Sequence, residues 1–133
     1  MEELWKENSL EEKVLAVKIM GFIAKTNPEK ALKLVGKFST GINNWAVCDT
    51  IGMQALKQIL PTHKKEIFAM AKKFNSSENL WTRRLSLVLV EWYTRFQKDH
   101  AAIIELVKPL ENDKEYYVKK AVVWIKKNFS KGK

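Results

Sequence analysis

The sequence has few of the residues that build metal centres and covalent cross-links. Its 133 residues include one cysteine, Cys48, and two histidines, His63 and His100. A single cysteine excludes an internal disulfide, and these residues are too few soft ligands for a structural zinc site. We therefore expect neither a metal nor a cofactor. Because no histidine lies near Cys48 in sequence, its thiol is expected to be a packing group rather than a nucleophile.

Long apolar runs are also missing. No segment approaches the roughly 18 apolar residues that a membrane span requires. The N-terminal stretch from Met1 to Lys6 lacks the basic and then apolar order of a secretory signal. We therefore expect no membrane association and a cytoplasmic location.

Proline and glycine are scarce, at three and five residues, and fall mostly between helical patterns. No stretch alternates long enough to predict a strand. The patterns predict helices over about 10–25 and 28–38, from after Gly41 to before Pro61, over about 62–74, after Ser77, over about 99–107 and over about 113–129. Ser9 with Glu12 is a capping box for the first helix, and Asn27 with Pro28 opens the second.

The capping candidates recur with a period of one helical hairpin. Ser9, Asn43, Ser77 and Asp113 are 34 to 36 residues apart, which is the period of an α-solenoid. We therefore predict an all-α fold, an α-α superhelix of HEAT-like repeats with about three helical pairs plus a terminal helix. Residues 1–133 are predicted to form a single HEAT-like repeat domain.

The charge is strongly unbalanced. Lysine and arginine total 24 against 15 acids, which gives a net charge of +9 and a pI near 9.6. This excess suits a polyanionic partner. The alternative interpretation is a lysine-rich solvated surface that serves solubility.

An aromatic and a carboxylate occur four residues apart at the start of the third helix. Trp45 and Asp49 share one helical face. A spacing of four predicts a buried stripe on another face, at Val47, Ile51, Ala55 and Ile59. Trp45 is therefore expected to point outward, where a tryptophan requires a functional reason or a packing partner from another unit.

The corresponding helices of the next two units carry similar residues. Arg84 and Trp124 follow Trp45 at spacings of 39 and 40 residues. In a stacked array such positions line one surface. On the last helix the predicted core positions are Val118, Val122, Ile125 and Phe129, so Trp124 faces outward with Tyr117, Lys120 and Lys127.

One carboxylate and two tryptophans suit a leaving group that is already cationic. A single carboxylate cannot divide acid and base roles, which disfavours hydrolysis with a poor leaving group. It can stabilise an oxocarbenium-like sugar and position water, while tryptophan faces attract the cation. An N-alkylated purine nucleotide in DNA meets both conditions.

Three blocks of the sequence resemble the AlkD-type DNA alkylation repair glycosylases, which are built of HEAT-like repeats. They are Asn43-Asn44-Trp45-x-x-x-Asp49, Trp81-x-x-Arg84 and Tyr117-Val118-Lys119-Lys120-Ala121-x-x-Trp124, with Leu4-Trp5 and Glu11-Glu12-Lys13-x-Leu15-Ala16 before them. The resemblance covers nearly the whole chain, which is shortened relative to the family at both ends.

The resemblance implies removal of 3- or 7-alkylpurines from duplex DNA, without metal and without base flipping. It implies that Asp49 is the catalytic carboxylate, that Trp45 and Trp124 contact the lesion nucleotide, and that Arg84 lies beside the DNA backbone. Nearby candidates for DNA binding are Arg83, Lys120, Lys127 and Tyr117.

Alternatives remain for each residue and for the function. Asp49 would also stabilise the first turns of a helix, the tryptophans would also pack between units, and Arg84 would also pair with Glu91. The competing functions are a non-catalytic DNA- or RNA-binding HEAT-like module and a protein-interaction scaffold.

Overall fold

A computed structural model describes residues 10–42 and 45–129, and these form seven α-helices without any strand. The helices are α1 (Leu10–Thr26), α2 (Pro28–Phe38), α3 (Trp45–Thr50), α4 (Lys64–Phe74), α5 (Leu80–Val88), α6 (His100–Val107) and α7 (Tyr116–Phe129). Short 3-10 turns follow α2, α5 and α6, including Glu91–Arg95 after α5. The predicted all-α class and helix number are confirmed.

The helices are arranged in two layers, as in a helical-repeat solenoid. In one layer α1 packs on α3, α3 on α5, and α5 on α7. The other layer holds α2 against α1, α4 against α5, and α6 against α5. The His100 ring at the start of α6 also lies 4.6 Å from the Phe129 ring at the end of α7. The third, fifth and seventh helices are therefore equivalent members of successive units, as their spacing predicts.

Helix starts follow the sequence only in part. Asn27 caps α2, because its side chain accepts a hydrogen bond from the Lys30 N–H and Pro28 occupies the first turn. The predicted cap at Ser77 is wrong, since Asn79 caps α5 by accepting from the Trp81 N–H. Ser77 instead accepts a hydrogen bond from the Asn79 N–H. The predicted capping box at Ser9 lies outside the described residues, as does the capping candidate Asn43.

The helix that starts at Trp45 changes its winding after Thr50. It continues as a π-helix over Ile51–Ala55 and then as a 3-10 turn over Lys57–Ile59. The Thr50 hydroxyl donates to the Ala46 carbonyl at 2.6 Å, a contact that bends helices. A stripe of spacing four drifts by about 40° per step on an α-helix, and the wider π-helix counteracts that drift. The predicted stripe Val47, Ile51, Ala55 and Ile59 is accordingly buried throughout.

Gly52 lets this π-helix approach α5 closely. A Cβ at position 52 would overlap the side chain of Val88 and lie 3.3 Å from Leu85. Gly36 on α2, by contrast, has open space where its Cβ would be. The absence of a side chain at position 52 therefore sets the distance between the two helices that carry Asp49 and Arg84.

Helix α1 is apolar on more than its buried side. Its core residues are Ala16, Val17, Met20 and Ala24, all with 0% exposure. Leu15 and Phe22, two large apolar residues of the same helix, are 49% and 78% exposed. The large apolar residues of α1 thus include two that the core does not use.

Within the described part of the chain, no helix is both long enough and apolar enough to cross a membrane.

We predict that Gly52→Ala destabilises the fold, because the added methyl group forces α3 and α5 apart. Overpacking of this kind costs about 1–3 kcal/mol. Urea unfolding followed by circular dichroism measures the change. Gly36→Ala is the matched control, and we expect it to raise the free energy of unfolding by about 0.4–1 kcal/mol. Equal effects of the two substitutions would contradict the close packing at Gly52.

Candidate functional site

Asp49 is held by a two-point ion pair with Arg84. The Arg84 Nε–H donates to Asp49 Oδ1 and an Nη2–H donates to Oδ2, both at 2.9 Å. The carboxylate comes from α3 and the guanidinium from α5, so the pair joins adjacent helices. Paired hydrogen bonds between these planar groups fix the orientation of the carboxylate as well as its position.

Arg84 also reaches the last helix. An Nη1–H donates to the Tyr117 carbonyl at 2.7 Å, which lies at the start of α7. Burial by itself would lower the pKa of Arg84, but the hydrogen bond and the charge of Asp49 raise it above its usual value. The guanidinium therefore stays charged while it joins three helices. The alternative pairing of Arg84 with Glu91 is wrong, because Asp49 takes that place.

The carboxylate is more accessible than its partner. The side chain of Asp49 is 27% exposed, whereas that of Arg84 is 12% exposed. An ionised carboxylate has about four acceptor positions, of which Arg84 uses two. Asp49 can thus meet a ligand with its remaining lone pairs while Arg84 supports it from behind.

Trp45 stands between two cavities on the surface of the layer formed by α1, α3, α5 and α7. The larger cavity, of about 990 Å³, is lined by residues of α1, α3 with its π-helix, and the end of α5, including Asp49 and Trp45. The smaller cavity, of about 410 Å³, is lined by Trp45, Arg84, Tyr117, Lys120 and Trp124. Trp45 is 56% exposed, so its predicted outward orientation is confirmed.

The predicted residues converge without sharing a single cavity. Asp49 lines the larger cavity and Trp124 the smaller one. Trp45 lines both, and Arg84 connects them through its ion pair. Trp124 is partly buried against the core, while Val118, Val122 and Ile125 of the same helix are buried and Phe129 is partly buried.

The wall of the smaller cavity is aromatic and basic. Tyr117 packs against Trp81, with ring centroids 4.9 Å apart, and the Arg84 guanidinium lies 5.9 Å from the Tyr117 ring. Lys120 Nζ lies 5.1 Å from the centroid of Tyr116. Trp81 is therefore a packing residue, and its ring supports that of Tyr117.

Two predicted DNA-binding residues lie outside both cavities. Arg83 donates to both oxygens of Asp113, at 2.8 and 3.3 Å, and to the carbonyls of Ser77 and Glu78. These contacts tie the start of α5 to the segment before α7, which is a structural role. Lys127 lies exposed on α7. A phosphate contact by either residue stays a prediction.

Sequence reasoning missed much of the larger cavity. Phe22 and Met53 line it, as do Trp92 and Arg95 in the 3-10 turn that follows α5. The sequence does not predict the outward position of Phe22, because α1 is apolar on both sides. It does offer a reason to consider Arg95, since the helical spacing of the sequence places Arg95 on the same face as Arg84.

Within residues 10–42 and 45–129, no group of three histidine, cysteine or acidic side chains is placed to hold a metal ion.

Comparison with known proteins adds one match. The model of the family described as "DNA alkylation repair enzyme" matches residues 1–133. No curated protein and no solved structure matches the chain.

Cys48 is next to Asp49 but points into the core. It is fully buried, its Sγ–H donates to the Trp81 carbonyl at 3.2 Å, and burial followed by the charge of Asp49 raises the pKa of its thiol. Both effects oppose formation of the thiolate, which is the reactive form.

We predict that a thiol reagent at pH 8 labels the folded protein at least about a hundredfold more slowly than the unfolded protein, because reaction requires local opening. The chain has no other cysteine, so a reagent that releases a chromophore on reaction with a thiol reports the labelling of Cys48 alone. The same protein in denaturant is the control. Labelling at equal rates in the two states would contradict the buried position of Cys48.

Proposed function

This chain belongs to the family of DNA alkylation repair enzymes, and from that premise we propose that it hydrolyses the N-glycosidic bond of cationic 3- or 7-alkylated purines in duplex DNA. The observation that carries the proposal is the Asp49 carboxylate. It is accessible in a cavity wall, fixed by Arg84, and adjacent to the exposed ring of Trp45.

The proposed reaction needs no acid. When the bond between C1′ and the alkylated purine breaks, the electron pair goes to the base, which leaves as a neutral molecule. The sugar becomes oxocarbenium-like, and Asp49 stabilises that positive charge. Water then adds to C1′ and loses a proton to solvent, which leaves an abasic site and a free alkylpurine.

The ion pair with Arg84 does not cancel the effect of Asp49. The interaction of two charges falls with their distance. Arg84 is the less exposed partner, so a sugar that enters the larger cavity meets the carboxylate before the guanidinium. The nearer negative charge therefore dominates the interaction with the cationic sugar, and the guanidinium keeps the carboxylate in place.

The tryptophans provide surfaces for the cationic base. An aromatic face within about 6 Å of a cation contributes roughly 0.5–2 kcal/mol, with the larger values where water is excluded. Trp45 is the exposed member and lines both cavities, while Trp124 forms the wall of the smaller one. A lesion between them would be attracted to both rings.

Contacts to the DNA backbone are proposed for the smaller cavity. Lys120 and Tyr117 line it together with Arg84. Among the described residues, none accepts the second N–H of either terminal nitrogen of Arg84. These N–H groups can donate to a phosphate oxygen without loss of the bonds to Asp49.

We predict that Asp49→Asn lowers the release of free alkylpurine from methylated duplex DNA by at least about a hundredfold, because the neutral amide cannot stabilise the cationic sugar. Binding to DNA should change little. Chromatography of the released base measures the rate, and fluorescence anisotropy measures the affinity.

Glu105→Gln is the matched control for the loss of one carboxylate, since Glu105 is exposed on α6 in the opposite layer. It should keep full base release. Base release by Asp49→Asn at the rate of the unchanged protein would refute the proposed role of Asp49.

We predict that the affinity for duplex DNA falls steeply with salt, because phosphate contacts release counterions. Lys120→Gln should make the slope of log K against log salt less steep by about 0.9. Lys72→Gln on α4, in the opposite layer, is the control and should leave the slope unchanged. A flat salt response of the unchanged protein would favour the protein-interaction scaffold instead.

A further inference from the structure

The larger cavity has an apolar wall whose side chains are exposed and not packed in the core. Phe22 is 78% exposed and Met53 is 48% exposed, and both line the cavity with Trp45. Phe22 belongs to α1 and Met53 to the π-helix, so two elements contribute to this wall. Aromatic and thioether groups left in water on adjoining elements are typical of a binding surface rather than of a solvated face.

The rim of the same cavity is basic. Lys18, Lys57 and Arg95 line it, and all three are exposed. The acids that line it are Glu91 and Asp49, of which Asp49 is already paired with Arg84. The cavity thus combines an apolar wall with an excess of positive charge, and its occupant should combine an apolar face with negative charge.

Arg95 is held in place before any ligand binds. Its guanidinium carbon lies 4.9 Å from the centroid of the Trp92 ring, and its Nε–H donates to the Trp92 carbonyl at 2.9 Å. These contacts use the Nε–H and one face of the group, and the residue as a whole is exposed. An arginine held on an aromatic ring loses less conformational freedom when it binds phosphate.

Paired duplex DNA can contact the basic rim of the cavity but not its apolar wall. A duplex presents phosphates and sugars outward, and its bases expose edges in the grooves while their faces are stacked. The faces that would pack on Phe22, Trp45 and Met53 become accessible only when a nucleotide leaves the stack. The adjoining phosphates would then meet the basic rim.

We propose that the larger cavity is a binding site for an unstacked nucleotide of a DNA strand. The base packs on Phe22 and Met53 beside Trp45, and the flanking phosphates contact Lys18, Lys57 and Arg95. Asp49 lines the same cavity, so the nucleotide bound on the apolar wall would be a neighbour of the lesion or lie opposite it. This inference rests on the DNA-binding part of the proposed function and not on its catalytic part.

The test compares two DNA molecules of equal length, a fully paired duplex and the same duplex with one bulged nucleotide. Fluorescence anisotropy at fixed salt gives the ratio of their affinities. We expect the unchanged protein to prefer the bulged duplex by about tenfold, and Phe22→Ala to reduce this preference to less than about twofold. The affinity of Phe22→Ala for the paired duplex should stay the same, which also shows that the variant is folded.

Two further variants sharpen the comparison. Phe22→Trp should keep the preference, since it retains an aromatic face. Leu15→Ala is the matched control, because Leu15 is an exposed apolar residue of the same helix that does not line the cavity. An equal loss in Leu15→Ala, or no preference in the unchanged protein, would overturn the proposal.

The occupant is tested separately by sedimentation. A monomer at assay concentrations supports a nucleic-acid occupant. A dimer that Phe22→Ala dissociates would overturn the proposal, because a second copy of the chain would then cover the wall. Base release from the paired, methylated duplex is measured in parallel. Release without a preference for the bulge refutes this inference alone, and a preference without release refutes the catalytic proposal alone.

Discussion

The ion pair of Asp49 with Arg84 is the interaction on which the site depends. It joins α3 to α5, and the same guanidinium reaches the Tyr117 carbonyl at the start of α7. Since a largely buried cation without a partner is costly, the Asp49 carboxylate stabilises Arg84 in this position. Successive units of the solenoid are therefore connected by a group that also orients the proposed catalytic carboxylate.

Much of the fold follows from local patterns in the sequence. Asn27 and Pro28 open α2 because their chemistry acts within one helical turn. The stripe from Val47 to Ile59 predicts the buried face of α3 and, by exclusion, the outward position of Trp45. These predictions succeed because each depends on neighbours within four residues along the chain.

Contacts between distant segments were not predictable in the same way. The partner of Arg84 is 35 residues away, and the sequence offers Glu91, much nearer along the chain, as an equally charged choice. The position of Phe22 depends on which side of an apolar helix packs first, and periodicity does not decide that for α1. Serine and asparagine are both capable of capping a helix, so residue type alone does not choose between Ser77 and Asn79. Asn79 is the cap because α5 begins two residues later than predicted.

The packing of the core and the geometry of the site have a common cause. Gly52 permits the close approach of the π-helix to α5, and the π-helix begins two residues after Asp49. A bulkier residue would move α3 away from α5, and the 2.9 Å bonds between Asp49 and Arg84 would lengthen with it. N–H···O hydrogen bonds usually lie at about 2.7–3.2 Å, so a displacement of a few tenths of an ångström takes these bonds to the long end of that range and weakens the hold on the carboxylate. Gly52, which has no side chain, thus sets the orientation of Asp49, whose carboxylate is proposed to act.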